Sequence, residues 1–178
     1  MKIRVATTWL AFTALVTFGS VASAQTGSYD QTQQKQDASF AQDAASGGVA
    51  EVQLGKLAQK QGSNQSVKDF GARMVKDHST ANDKLKAVAS KDGLTLPGGM
   101  NHENQATYDK LSKLSGSDFD KAYAQDMVQD HQKDIAAFQK EAHGGMNPDL
   151  KNFASQTLPT LQDHLQMAQQ MQQSVGGQ

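Results

Sequence analysis

The chain has no cysteine, and this one absence removes disulfide stapling, thiol nucleophiles and thiolate metal sites together. Proline is almost as scarce, at three in 178 residues, so long helices can run with few forced breaks. Aromatic residues make up 6% of the chain, which suits helices packed through Ala, Leu and Met better than an aromatic-rich sheet. Neither sign of charge dominates, with 17 Lys and Arg against 18 Asp and Glu, so the footprint of a nucleic-acid or anionic-membrane binder is missing. No phosphate loop or nucleophile elbow occurs either.

Long apolar runs are also lacking. The longest, Val5 to Phe18, falls short of the roughly 18 residues a spanning helix needs. It follows Lys2 and Arg4 and precedes Ala22-Ser23-Ala24, the order of a basic start, an apolar middle and a small-residue cleavage site. Residues 1–24 are therefore expected to be a secretory signal peptide cut after Ala24. The mature chain would be periplasmic or secreted, with no transmembrane segment, and association with the outer membrane would be peripheral, through an envelope protein partner. Losing Lys2 and Arg4 leaves 15 basic residues against 18 acids, a net charge of −3. Residues 25–36, polar and rich in Gln, read as a disordered spacer.

What is present is helical periodicity. Apolar residues recur at three-four spacing over about Asp37–Gln61, Gln65–Lys91, Asp118–His143 and Pro148–Gln173, and a shorter helix is expected over about Gln105–Leu114. Gly62-Ser63-Asn64 supplies a turn with Ser63 or Asn64 as cap, Gly93 a stop, and Asn147-Pro148-Asp149 a start. Ser117 and Asp120 resemble a capping box. Gly47-Gly48 either lets a neighbouring helix approach or breaks the first helix. Pro159 should kink the last, and residues 174–178 should form a frayed tail. Short turns within each pair and a long connection between pairs define the expected class: all-α, a ferritin-like four-helix bundle over residues 37–173 with one short extra helix between the second and third long ones.

Three of the long helices carry the same tetrad, an apolar residue, Lys or Gln, then Asp-His: Val75 to His78, Val128 to His131 and Leu161 to His164. Each histidine lies on its helix's apolar face, and Glu51 takes the equivalent place on the first helix. Counted from the nearest turns at 1.5 Å per residue, Glu51 and His78 lie at similar heights, whereas His131 and His164 are offset by roughly 8 Å. Buried polar groups at one depth should satisfy one another or hold a cation. Glu51, His78, His131 and His164 are therefore the candidate ligands for a divalent transition metal such as iron, zinc or copper, with Asp134 as an additional ligand. Asp77, Asp130 and Asp163 are candidates for the outer shell. A residue directly before a histidine faces about 100° away from it, so each should serve a neighbouring helix's ring. The competing expectation is a core hydrogen-bond network without metal in a structural or interaction protein.

The segments Phe40–Ala58, Val67–Asn82 and Gly116–Phe138, with Leu158-Pro159 and His164, resemble the bacterial exported family called domain of unknown function 4142. That resemblance implies a ferritin-like helical bundle of the periplasm or outer envelope and assigns no activity. Di-iron ferritins place Glu three residues before His, whereas here those positions are Val75, Val128 and Leu161. Ferroxidase or oxygenase chemistry is accordingly not expected, and a binding role is favoured over catalysis.

Overall fold

The structure, a computed structural model, describes residues 22–177, with side chains from residue 31 onward. The leader expected over residues 1–24 lies outside the described residues except for its last three. Five helices follow in order: α1 (Ala22–Gln61), α2 (Gln65–Asp92), α3 (His102–Leu111), α4 (Gly116–Gly144) and α5 (Pro148–Gly176), with no strand among the described residues. The three-residue turn after α1 folds α2 back along it, and the short turn after α4 does the same for α5. These two hairpins meet through α2 against α5 and α1 against α4, while α3 lies across α1 and α4. No helix among the described residues is long and apolar enough to cross a membrane.

Local chemistry explains most boundaries. Asn64 caps α2 by accepting from the Ser66 amide at 2.9 Å, and Asn147 caps α5 by accepting from Asp149 and Leu150, each at 2.9 Å. Gly93 ends α2 in the left-handed region at φ 67°, which costs glycine little. The first hairpin is unusually close at Gly55 and Gly71. A Cβ on either would lie 2.6 Å from the other's carbonyl oxygen, so larger residues would push α1 and α2 apart.

Three expectations need correcting, and one alternative falls away. The first helix is not broken at Gly47-Gly48. It runs through both, and Gly48 makes room for Asn82, whose Oδ1 would lie 2.0 Å from an added Cβ. Residues 25–36 are not a spacer but the early turns of α1, because Gln and Lys propagate a helix already nucleated by packing further on. Gln33 ties this part to the second hairpin by donating to the Gly144 carbonyl at 3.1 Å. The C-terminal tail is not frayed up to Gly176: Val175, one turn after Met171, is buried in the core. Nor do Ser117 and Asp120 form a capping box, since Ser115 is the cap residue of α4 and Asp120 points elsewhere. Its buried carboxylate accepts from the Ser63 amide (3.1 and 3.2 Å), the Ser63 hydroxyl (2.5 Å) and the Asn64 amide (2.8 Å), tying α4 to the α1–α2 turn.

The core falls into two apolar clusters. One, around Leu54, Phe70, Met74, Tyr123, Met127 and Ala168, lies toward the α1–α2 turn. The other, around Ala45, Leu85, Phe138, Phe153 and Leu161, lies toward the α4–α5 turn. A fully buried Phe such as Phe70 contributes about 1.5–3 kcal/mol of hydrophobic stabilisation. On every long helix a buried Glu or His falls between its members of the two clusters: Glu51, His78, His131 and His164.

Candidate metal centre

His78, His131 and His164 meet in that middle layer. One ligand nitrogen from each lies within 4.8 Å of the other two. Their ring centroids are 5.9 Å (His78–His131), 5.4 Å (His78–His164) and 5.4 Å (His131–His164) apart, with Phe70 packed edge-on against the last two. The offset counted for His131 and His164 is thus absorbed by the packing of α4 on α5, even though Pro159 lies within α5.

Hydrogen bonds fix two of the three rings. His131 Nδ1 lies 2.9 Å from the Met127 carbonyl, which can only accept, so Nδ1 carries the proton and Nε2 a lone pair. His164 Nε2 donates to Asp77 Oδ2 at 3.0 Å, leaving the lone pair on Nδ1. His131 Nε2, His164 Nδ1 and His78 Nε2 are all buried and without a hydrogen-bond partner. Burial and the neighbouring rings His131 and His164 push His78 down to about 3, and burial with His164 pushes His131 to about 4. Burial also lowers His164, against the pull of Asp77. At neutral pH all three rings are uncharged, the form in which imidazole ligates a metal.

Asp77, on α2, accepts from the ring of His164 on α5. Burial acts to raise its pKa, but hydrogen bonds from Arg73, one turn before it, and from His164 outweigh that and hold it below the usual carboxylate value. The chain Arg73–Asp77–His164 therefore orients a ring as a carboxylate orients a metal-bound histidine. Asp163 is exposed and bonds to none of the rings.

Glu51 and Asp134 are not among the residues whose donor atoms meet at the 4.8 Å spacing. Glu51 is 1% exposed, and neither carboxylate oxygen has a hydrogen-bond partner. Its carboxyl abuts Asp130, so Asp130 too faces α1 rather than a histidine. Burial first, then the charges of Asp130, Asp134 and Asp126, raise Glu51 well above the usual carboxylate value. The same causes, burial and Asp130, bring Asp126 to about 6 and Asp134 to about 8. The middle layer thus has two halves, an imidazole cluster among α2, α4 and α5 and a carboxylate cluster between α1 and α4.

Sequence reading missed several polar residues that the fold buries or half-buries, Asp37, Ser46, Tyr123, Asp126 and Glu141 among them. Asp126 stands four before Asp130 and eight before Asp134, a one-face acidic stripe that spacing alone could have revealed. Tyr123 is fully buried with its hydroxyl unpartnered, and Glu141 is 5% exposed with burial, then Asp37, raising it to about 7. Tyr123 read as core, and no sequence signal marks Glu141. His102 opens α3 on the surface, as a solvated residue.

An all-helical fold with a buried polar middle layer defines the class of this protein, and comparison places it further. The family described as Domain of unknown function (DUF4142) matches residues 22–171, and the chain belongs to that family. Among solved structures the fold is similar to a crystal structure of a DUF305 fragment from Deinococcus radiodurans. The TM-score is 0.67 at 14% identity, covering 80% of this chain and 97% of that one. No curated protein matches the chain.

Proposed function

We propose that this is an exported, ferritin-like four-helix bundle that holds a divalent transition metal on His78, His131 and His164, in metal handling or envelope stress rather than catalysis. The observation that carries the reading is that three buried rings bring one nitrogen each within 4.8 Å of the others, and that each ring has a buried nitrogen without a hydrogen-bond partner. An unsatisfied polar group of this kind costs about 1–3 kcal/mol, and one cation satisfies all three. The donor set is all imidazole, which suits zinc, copper or iron. His131 and His164 are fully buried and His78 is 6% exposed, which supports retention of an ion rather than turnover of a substrate. Residues 1–24 act in this reading as the export signal, and an envelope protein is the expected partner.

A second reading takes the bonds of His164 to Asp77 and of His131 to Met127 as a core network that needs no metal. Elemental analysis separates the two. The mature protein, purified from the periplasm without an affinity tag, is compared with a His78→Ala/His131→Ala variant. Stoichiometric metal lost in a still-folded variant supports the first reading. No metal after incubation with iron, zinc and copper salts leaves the network.

A further inference from the structure

Where the early turns of α1 pass the C-terminal end of α4, the two helices part around a cavity of about 280 Å³. We infer that this cavity binds a small organic ammonium ion, a primary amine with an apolar body, whose head is taken by Glu141 and whose body lies on Phe40 and Phe138. The inference does not depend on the histidine site.

Three observations carry it. The first is a buried acid in the wall itself: Glu141 lines the cavity, is 5% exposed, and leaves its Oε1 without a hydrogen-bond partner. Gly145 makes room for that carboxyl, since an added Cβ there would lie 2.3 Å from Oε1. Burial, then the charge of Asp37, raises Glu141 to about 7, and Lys151 and Lys140 oppose this by charge without hydrogen-bonding Oε1. Asp37 is already satisfied, because it accepts from the Met146 and Asn147 amides.

The second is an excess of acceptors over donors. Asp134 and Asp43 also line the cavity, and Asp43 accepts from the Ser39 hydroxyl at 3.4 Å. Of the donors, Gln33 is committed to the Gly144 carbonyl at 3.1 Å, and Gln36 and Lys140 are exposed at the mouth. A ligand must therefore bring donors of its own, and a charged donor bonds a carboxylate most strongly. The third is an apolar wall. Phe40 and Phe138 stand edge to face with centroids 4.9 Å apart, and Ala44 and Ala137 extend their surface. A hydrated metal ion gains nothing from such a wall, whereas the hydrocarbon part of an amine is desolvated on it and the ring faces attract the charged head. The volume, just under the usual range for small-molecule sites, limits the body to a single ring or a short chain.

Calorimetric titration of the mature chain with benzylamine at neutral pH, beside the uncharged benzyl alcohol, tests this. One equivalent of benzylamine is expected to bind with a dissociation constant of about 1 mM or lower, and the alcohol about tenfold more weakly or worse. Glu141→Gln removes the charge at nearly constant shape and should weaken benzylamine about tenfold or more. Ala137→Trp, at an exposed helical position, should fill the cavity and abolish binding, with circular dichroism showing both variants folded. His78→Ala/His131→Ala should bind benzylamine as the wild type does. Absence of saturable benzylamine binding, equal binding of the alcohol, or binding untouched by Glu141→Gln and Ala137→Trp overturns the amine site without bearing on the histidine site.

Discussion

Asp120 and Glu51 are both buried carboxylates on long helices, at 2% and 1% exposure, and they differ in everything else. Asp120, at the α1–α2 end, is saturated by two amides and a hydroxyl. At the other end Asp37 does the same work, accepting from the Met146 amide at 3.0 Å and the Asn147 amide at 2.6 Å, where α4 turns into α5. Glu51, halfway between, has no donor, and the same holds for the free nitrogens of the three histidines. Burial alone therefore separates nothing. A buried polar group with a full set of partners holds turns together, whereas several left without partners at one depth mark a place for an external charge to complete the structure.

The contrast can be broken first at its saturated end. Asp120→Ala strips the acceptor from two backbone amides and a hydroxyl, and hydrogen bonds to a charged group are worth about 1.5–3 kcal/mol each. A loss of about 3 kcal/mol or more in chemical denaturation is expected, with metal content per folded molecule unchanged. A loss below 1 kcal/mol would mean that water replaces the carboxylate freely.

The middle layer should behave in the opposite sense, gaining from what is added. An ion at 100 times its dissociation constant stabilises by about 2.7 kcal/mol. For a domain of this size that raises the melting temperature by about 5–11 °C. Asp77→Asn, which cannot hold the His164 ring as a carboxylate does, should weaken the affinity about 10- to 100-fold while the apo protein melts close to the wild type. An unchanged affinity would remove Asp77 from the site.

The smallest effect concerns pH and divides the layer itself. The folded values of His78 and His131, about 3 and 4, lie below the ordinary 6.5, so the unfolded chain binds more protons below pH 6.5. Their contribution is fully present above 6.5 and is lost as the pH falls toward 4. Asp126 and Asp134, at about 6 and 8, lie above the ordinary 3.8, so here the folded chain binds more protons. That contribution is fully present below 3.8 and is lost as the pH rises through 6 and 8. Stability of the metal-free protein should therefore fall between pH 6.5 and 8. Denaturation midpoints across that range should become shallower in Asp126→Asn/Asp134→Asn, with Glu141, raised to about 7, and Glu51 supplying the slope that remains, and should keep their slope in His78→Ala. A slope unchanged by the double Asn substitution would remove Asp126 and Asp134 from it.

Much of this was legible before any coordinates. The three-four stripes marked four long helices because burying one apolar face leaves that period in any helix, and Asn64 and Asn147 marked starts because a cap needs a short acceptor. The inward histidines were legible for the same reason, as polar residues in the middle of apolar stripes. Asp77 could be assigned to another helix's ring from the 100° rotation alone, although which ring could not. Asp120 shows where such reading stops: by spacing it belonged to its own helix's cap, and it serves a turn 57 residues away. Glu51 shows it again, since its stripe placed it inward and at the right height but not beside the histidines.

The sequence by itself determined the four long helices, the caps at Asn64 and Asn147 and the inward polar residue in the middle of each stripe, because these depend on bonds and faces within a few residues of one another. The tertiary structure alone decided how the four inward polar residues divide, three imidazoles together and one carboxyl against Asp130. That division depends on how one hairpin sits against the other, through the packing of α2 on α5 and of α1 on α4, which no local spacing encodes.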